Sequence, residues 1–184
     1  MIGLYIIIGF IILFFIIAFI IIYNNLVKLK NNISKAWANI DVLLKQRFDE
    51  LSKLIDTVKG YMKYEKKVLT DITKARSMYD NAKGIKDMAD FDDFAKKSTN
   101  NLFAVAENYP DLKASKNFLK LQSRITELEN MIADRREFFN DTVTIYNTRI
   151  KQIPYNTIAG ILGYKRKELF VASGEEKKVV DFDK

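Results

Sequence analysis

Residues 2–23 carry no charged side chain, and the first charge in the chain is Lys28. The run is almost wholly Ile, Phe, Leu, Gly and Ala. A helix of roughly twenty residues, rising ~1.5 Å at each, crosses the ~30 Å hydrocarbon core of a bilayer. A signal peptide would need a basic start, a short apolar core and small residues at a cleavage site. Nothing basic precedes this run except the amino terminus, and Ile21-Ile22-Tyr23-Asn24 supplies no small residues. A retained anchor over residues 1–23 is expected. Gly3 and Gly9 do not form the GxxxG pair of a helix-dimer face.

The stretch that follows, residues 26–78, has no proline and one glycine, Gly60. Its apolar residues recur at three-and-four spacing: Leu26, Leu29, Ile33, Ala36, Ile40, Leu44, Phe48, Leu51, Ile55, Val58 and Met62. Leu69 and Ile72 resume the series, which would next reach Arg76. That spacing predicts one long amphipathic helix, roughly 80 Å at ~1.5 Å per residue, with a coiled-coil-like seam. The step from Ile40 through Leu44 to Phe48 is a stutter, which locally unwinds a supercoil. Trp37 lies beside the seam.

Helix two is expected from about Asp90 to Glu107, with Phe91, Phe94, Leu102, Val105 and Ala106 inward. Asp87, Asp90, Asp92 and Asp93 would load its N-terminus, where the helix dipole favours negative charge. Tyr109-Pro110 should end it, because a residue before proline avoids the α region. Helix three follows on the seam Phe118, Leu121, Ile125, Leu128, Ile132, Phe139, Val143, Tyr146 and Ile150, and stops at Pro154. The gap after Ile132 falls near Arg135 or Arg136. Residues 158–164 can fold back as a fourth helix. The fold class is therefore all-α: an N-terminal transmembrane helix, then an elongated antiparallel three- to four-helix bundle over residues 24–170. Residues 171–184 read as a charged, frayed tail.

The chain has no cysteine and no histidine. Disulfides, thiolate nucleophiles, histidine relays and histidine metal ligands are thereby excluded. The net charge is +7, and residues 28–80 hold 12 basic and 7 acidic side chains. Lys28, Lys30 and Lys35 precede the first acid, Asp41. The positive-inside tendency then places the C-terminal domain in the cytoplasm and the short N-terminus outside. The same three lysines suit an anionic lipid surface.

The segments Tyr23-Asn24-Asn25-Leu26-Val27, Ala36-Trp37, Ile40-Asp41-Val42, Leu44-Lys45, Arg47, Thr57-Val58-Lys59-Gly60-Tyr61 and Glu65 resemble the LemA family. Glu107, residues 109–114, Leu121-Gln122, Glu129, Ile132, Arg136, Asn140, Val143, Tyr146-Asn147 and Pro154 look like its second half. Ala159, Gly163-Tyr164 and Phe170 look like its ending. The resemblance implies one N-terminal anchor, a small external N-terminus and a cytoplasmic helical bundle. It brings no agreed catalytic activity. The family includes a magnetosome-associated branch linked to membrane remodelling. Ser52 stands where the family often has proline, Tyr64 where histidine is common, and Leu43 and Gln46 replace residues that are often polar and basic.

Glu65, Arg76, Glu129 and Arg136 sit at or beside the seams and are the candidate site residues. A buried charge must pair or stay wet. These four either grip a partner or fix helix register through salt bridges, and register is the simpler reading. The aspartates lack the spacing of an EF-hand loop. Gly160-Ile161-Leu162-Gly163 matches the GxxG of RNA-binding KH domains only formally, without their βααβ surroundings. Lys165-Arg166-Lys167, between Tyr164 and Phe170, could lie at a headgroup layer. The expected function is that of a membrane-anchored, non-enzymatic scaffold or interaction protein. A lipid-contacting or membrane-shaping role is the alternative, and an enzyme using carboxylates and lysines ranks last. The expected partners are the membrane and other membrane-associated proteins, with self-association open. No nucleic acid, metal or cofactor is expected.

Overall fold

The computed structural model describes residues 1–173, which fold into α-helices without a strand among them. The helices are α1 (Ile2–Val58), α2 (Lys66–Asn81), α3 (Ile85–Ala106), α4 (Pro110–Lys113), α5 (Lys116–Arg149) and α6 (Tyr155–Ile161). The described chain divides into two compact units, Met1–Trp37 with Phe139–Lys167, and Ala38–Phe138 with the described residues from Glu168 onward.

In the first unit α1 begins with the apolar run, whose large side chains stand exposed from Ile2 to Ile21. That helix is long and apolar enough to cross a membrane. Leu26, Ile33 and Ala36 then turn inward, as the seam predicts. They meet α5 running antiparallel. Trp37 packs edge-on against Phe139 with ring centroids 5.9 Å apart. Further along, Ile150 packs on the cluster formed by Ile22, Leu26, Ile158 and Ala159. The seam residues Phe139, Val143 and Tyr146 are buried. The Ile153–Pro154 peptide is cis, and α6 starts at Tyr155 rather than at Ile158.

The Gly160–Gly163 segment is a helix terminus. Gly163 has φ +67°, the left-handed conformation that glycine takes without a Cβ penalty. The Gly163 N–H donates to Gly160 O at 3.2 Å, and the Tyr164 N–H donates to Ala159 O at 2.9 Å. These are the two bonds of a Schellman motif, so the second glycine of the pair is there to end α6. Beyond it, Tyr146 donates to Lys165 O at 3.0 Å. Asn147 donates to Lys167 O at 2.9 Å and accepts from the Lys167 N–H at 2.8 Å. Residues 165–167 are thereby tied to α5.

In the second unit the expected single helix over residues 26–78 is corrected. α1 ends at Val58, the chain reverses through residues 59–65, and α2 runs back antiparallel. Phe48 stacks on Tyr79 with centroids 4.6 Å apart. Gly60 marks the break, since glycine costs about 1 kcal/mol in a helix interior. Met62 is fully buried in the turn, and its N–H still bonds Val58 O. The buried stripe of α2 is Val68, Ile72 and Ala75, so Leu69 and Arg76 lie at its edge.

α3 starts earlier than expected, at Ile85, after Gly84. It packs on α2 through Tyr79 and Phe91, whose rings meet edge-on at 5.2 Å, and on α5 through Phe103 and Phe118 at 6.0 Å. Its buried face runs through Phe91, Asp92, Ala95, Ser98, Thr99, Leu102 and Ala106. Phe94 and Val105 are only half-buried. Thr99 satisfies its hydroxyl by donating to Ala95 O at 2.9 Å. Pro110 opens α4, as a proline at a first helical position can. On α5 the expected seam holds, with Phe118, Ile125, Leu128 and Ile132 buried. The first residues of the expected 171–184 tail are held by the rest of the unit. Ala172 is buried, and Ser173 gives its N–H and hydroxyl to Asp90, each at 2.7 Å. The rest of that tail, 174–184, lies outside the described residues.

Candidate functional site

The most demanding chemistry in the second unit is a charge inside its core. Arg47 lies one residue before Phe48 on α1 and is fully buried. Between Leu44 and Leu51 the helical period brings this position inward whatever residue occupies it. The matching inward position on α3 is Asp92, and Arg47 Nη1 donates to Asp92 Oδ1 at 2.6 Å. Glu129 on α5 lies at the edge of the cluster, with Oε2 3.9 Å from Arg47 Nη2. Its other oxygen pairs with Lys96 Nζ at 2.6 Å. Three helices are thus tied through four charged side chains.

The cluster is incompletely satisfied. Arg47 Nε and Nη2 are buried with no hydrogen-bond partner among the described residues. Burial pushes the Asp92 carboxyl above its ordinary range; the charge and hydrogen bond of Arg47 oppose this without cancelling it. Arg136 pulls the same carboxyl down more weakly. Desolvation is therefore the larger effect at Asp92, the usual condition of a buried pair.

The four sequence candidates are not gathered into one pocket. Glu129 joins the Arg47 cluster. Arg136 fills the gap in the α5 seam, where its Nε donates to Phe170 O at 3.0 Å and its guanidinium lies 5.8 Å from that ring's centroid. Arg76 lies over the Phe48 ring, 5.0 Å from the centroid. Glu65, just ahead of α2, accepts from the Tyr109 hydroxyl at 3.0 Å. That hydrogen bond, more than burial, holds the Tyr109 phenol above its ordinary value. Each of the four meets a group of the chain itself, and among them Glu129 does so through ion pairs between helices.

The aspartates divide. Asp87 accepts from the Lys83 N–H at 2.9 Å, a capping contact at the start of α3. The capping expectation fails for the other three because α3 begins five residues before Asp90. Asp90 holds Ser173, Asp93 pairs with Lys97 at 2.7 Å, and Asp92 enters the core. Among the membrane-proximal lysines, Lys30 lies 5.7 Å above the Tyr164 ring, while Lys28 and Lys35 are exposed.

Sequence reasoning set Phe48 on the seam and left Arg47 and Asp92 out of the candidate site. The available signal was Arg47 at the inward position between Leu44 and Leu51, flanked by the stutter. A long arginine is usually a surface residue, so the pattern alone does not bury it.

A LemA family profile matches residues 36–183. The chain is 32% identical over 162 residues to Protein LemA of Metamycoplasma hominis, a match covering 86% of this chain and 73% of that protein. It is 38% identical over 69 residues to Magnetosome protein MamQ 2 of Paramagnetospirillum magneticum. It is 33% identical over 69 residues to Magnetosome protein MamQ of Magnetospirillum gryphiswaldense. Both of these shorter matches cover 38% of this chain and 25% of the relative. The profile and the M. hominis relative span most of the helical region, and on that extent of match the chain belongs to the LemA family.

Proposed function

We propose that this protein is a membrane-anchored, non-enzymatic interaction protein that presents a cytoplasmic helical domain close to the bilayer. The observation that carries this reading is the first part of α1, where every large apolar side chain from Ile2 to Ile21 is exposed. A lipid environment covers such a surface along a whole helix. The flanking lysines, with no acid before Asp41, orient the N-terminus outward. The candidate charged residues instead meet groups of the chain itself, which suits a rigid display domain. The magnetosome relatives, over the quarter of their length that matches, support work at a membrane.

Photo-crosslinking in native membranes tests the interaction. Lys63 and Lys120 are exposed and can be replaced by a photoreactive residue without disturbing the core. A discrete protein adduct that forms at one position and not the other is expected. Adducts to lipid alone at both positions would overturn the interaction reading and leave a membrane-shaping role in its place.

A further inference from the structure

The first unit carries the whole charge excess of the protein. Met1–Trp37 and Phe139–Lys167 contain eight basic side chains and one acid, Asp141, a net of +7 that equals the net charge of the full chain. Three of the eight are Lys165, Arg166 and Lys167, all exposed on the segment that Tyr146 and Asn147 hold against α5. Lys151 is exposed on the connection from α5 to α6.

The same corner bares apolar surface. Ile153 is 85% exposed and Ile161 76% exposed. Among the described residues beyond the anchor, no other large aliphatic side chain is as exposed. Leu162 stands exposed beside them. Their height relative to a bilayer follows from packing within the unit. α6 seats Ile158 and Ala159 on Ile22 and Leu26, at the end of the apolar run. A run of twenty residues fills the ~30 Å core, and each headgroup layer adds roughly 5–7 Å, about four residues of helix. Ile22 to Leu26 spans that layer, so α6 and the exposed isoleucines beside it lie within it.

We propose that the α5–α6 corner is a second bilayer contact, in which Ile153 and Ile161 enter the headgroup–acyl boundary while Lys151 and residues 165–167 meet anionic headgroups. The inference rests on the reading of residues 2–23 as a membrane span. Apolar side chains flanked by a basic face are the composition of an interfacial element, and anionic lipid supplies the complementary charge. Such a contact gives the anchored unit two attachments and fixes its rotation about the span, which a single helix alone leaves free.

The chain has no cysteine, so single spin labels are unambiguous. The full-length protein is reconstituted in phosphatidylcholine vesicles containing about a quarter phosphatidylglycerol. Labels are placed at Ile153→Cys and Ile161→Cys, with Ile12→Cys and Lys35→Cys as the hydrocarbon and water references. Accessibility to oxygen over a water-soluble nickel chelate should place both corner labels between the references. It should shift toward the Lys35→Cys value without phosphatidylglycerol or with Lys165, Arg166 and Lys167 changed to Gln. Both native side chains are exposed, so the substitutions remove no core packing. Corner labels as water-accessible as Lys35→Cys, with Ile12→Cys still in hydrocarbon, would overturn the second contact and leave the anchor standing. Ile12→Cys in water would overturn both. A depth indifferent to phosphatidylglycerol would overturn the role of charge.

Discussion

Arg47→Met is expected to destabilise the unit containing residues 38–138 by about 3–5 kcal/mol, because it strands the buried Asp92 carboxylate. Denaturant unfolding of the full chain in detergent, followed by circular dichroism, checks it. The effect is expected to be a property of the stranded charge rather than of lost attraction. Arg47 itself buries Nε and Nη2 without hydrogen-bond partners among the described residues, so the native pair already carries an uncompensated desolvation cost. The double variant Arg47→Met with Asp92→Leu should therefore recover most of the loss, since an apolar replacement of a buried pair is often neutral or stabilising. A double variant as unstable as the single one would contradict this account.

The pH dependence has a definite sign. Burial raises the Asp92 pKa in the folded state, so the folded protein binds the proton more tightly than the unfolded chain. Its contribution to stability is greatest below the ordinary aspartate value and is lost as pH rises through the raised folded value. Removing Arg47 takes away the charge that holds this pKa down, so the window widens upward. The stability gap between wild type and Arg47→Met should shrink in acid, where a neutral Asp92 needs no partner. A gap that grew in acid would place the cost elsewhere.

Phe139→Ala is the second large effect, about 3–5 kcal/mol for a buried phenylalanine reduced to a methyl group. The ring is fully buried and meets Trp37 across α1 and α5 at 5.9 Å. Trp37 is the only tryptophan, so its emission reports this contact without labels. Loss of stability should come with a red-shifted, more quenchable spectrum. Ile145, on the exposed side of α5, gives the control, and Ile145→Ala should stay within about 0.5 kcal/mol of wild type. Equal effects at the two positions would contradict the placement of the α5 seam.

What could be read in advance follows from what periodicity encodes. The seams of α1 and α5 were legible because each buries one continuous stripe, from Leu26 to Val58 and from Phe118 to Tyr146. The reversal at residues 59–65 was not. A helix that hairpins presents the same spacing as one that runs straight, and Gly60 weakens a helix without specifying a turn. The start of α3 was placed too late because Asp90, Asp92 and Asp93 look like first-turn acids. Their true partners, Ser173, Arg47 and Lys97, include two that are distant in sequence. Glu129 and Arg136 were found because they are charges at or beside an apolar seam. Arg47 and Asp92 escaped because burial of an ion pair depends on both helices at once, and neither pattern alone reports it.

The central claim, an N-terminal span holding a cytoplasmic helical domain, is tested most directly by its sidedness. A single cysteine placed in a short hydrophilic extension ahead of Met1, or at Lys120, can be challenged in intact cells with a membrane-impermeant maleimide. The account predicts labelling of the cysteine ahead of Met1 in intact cells and of Lys120→Cys only after lysis. Labelling of Lys120→Cys from outside, or release of the full-length chain from membranes by alkaline carbonate, would contradict it.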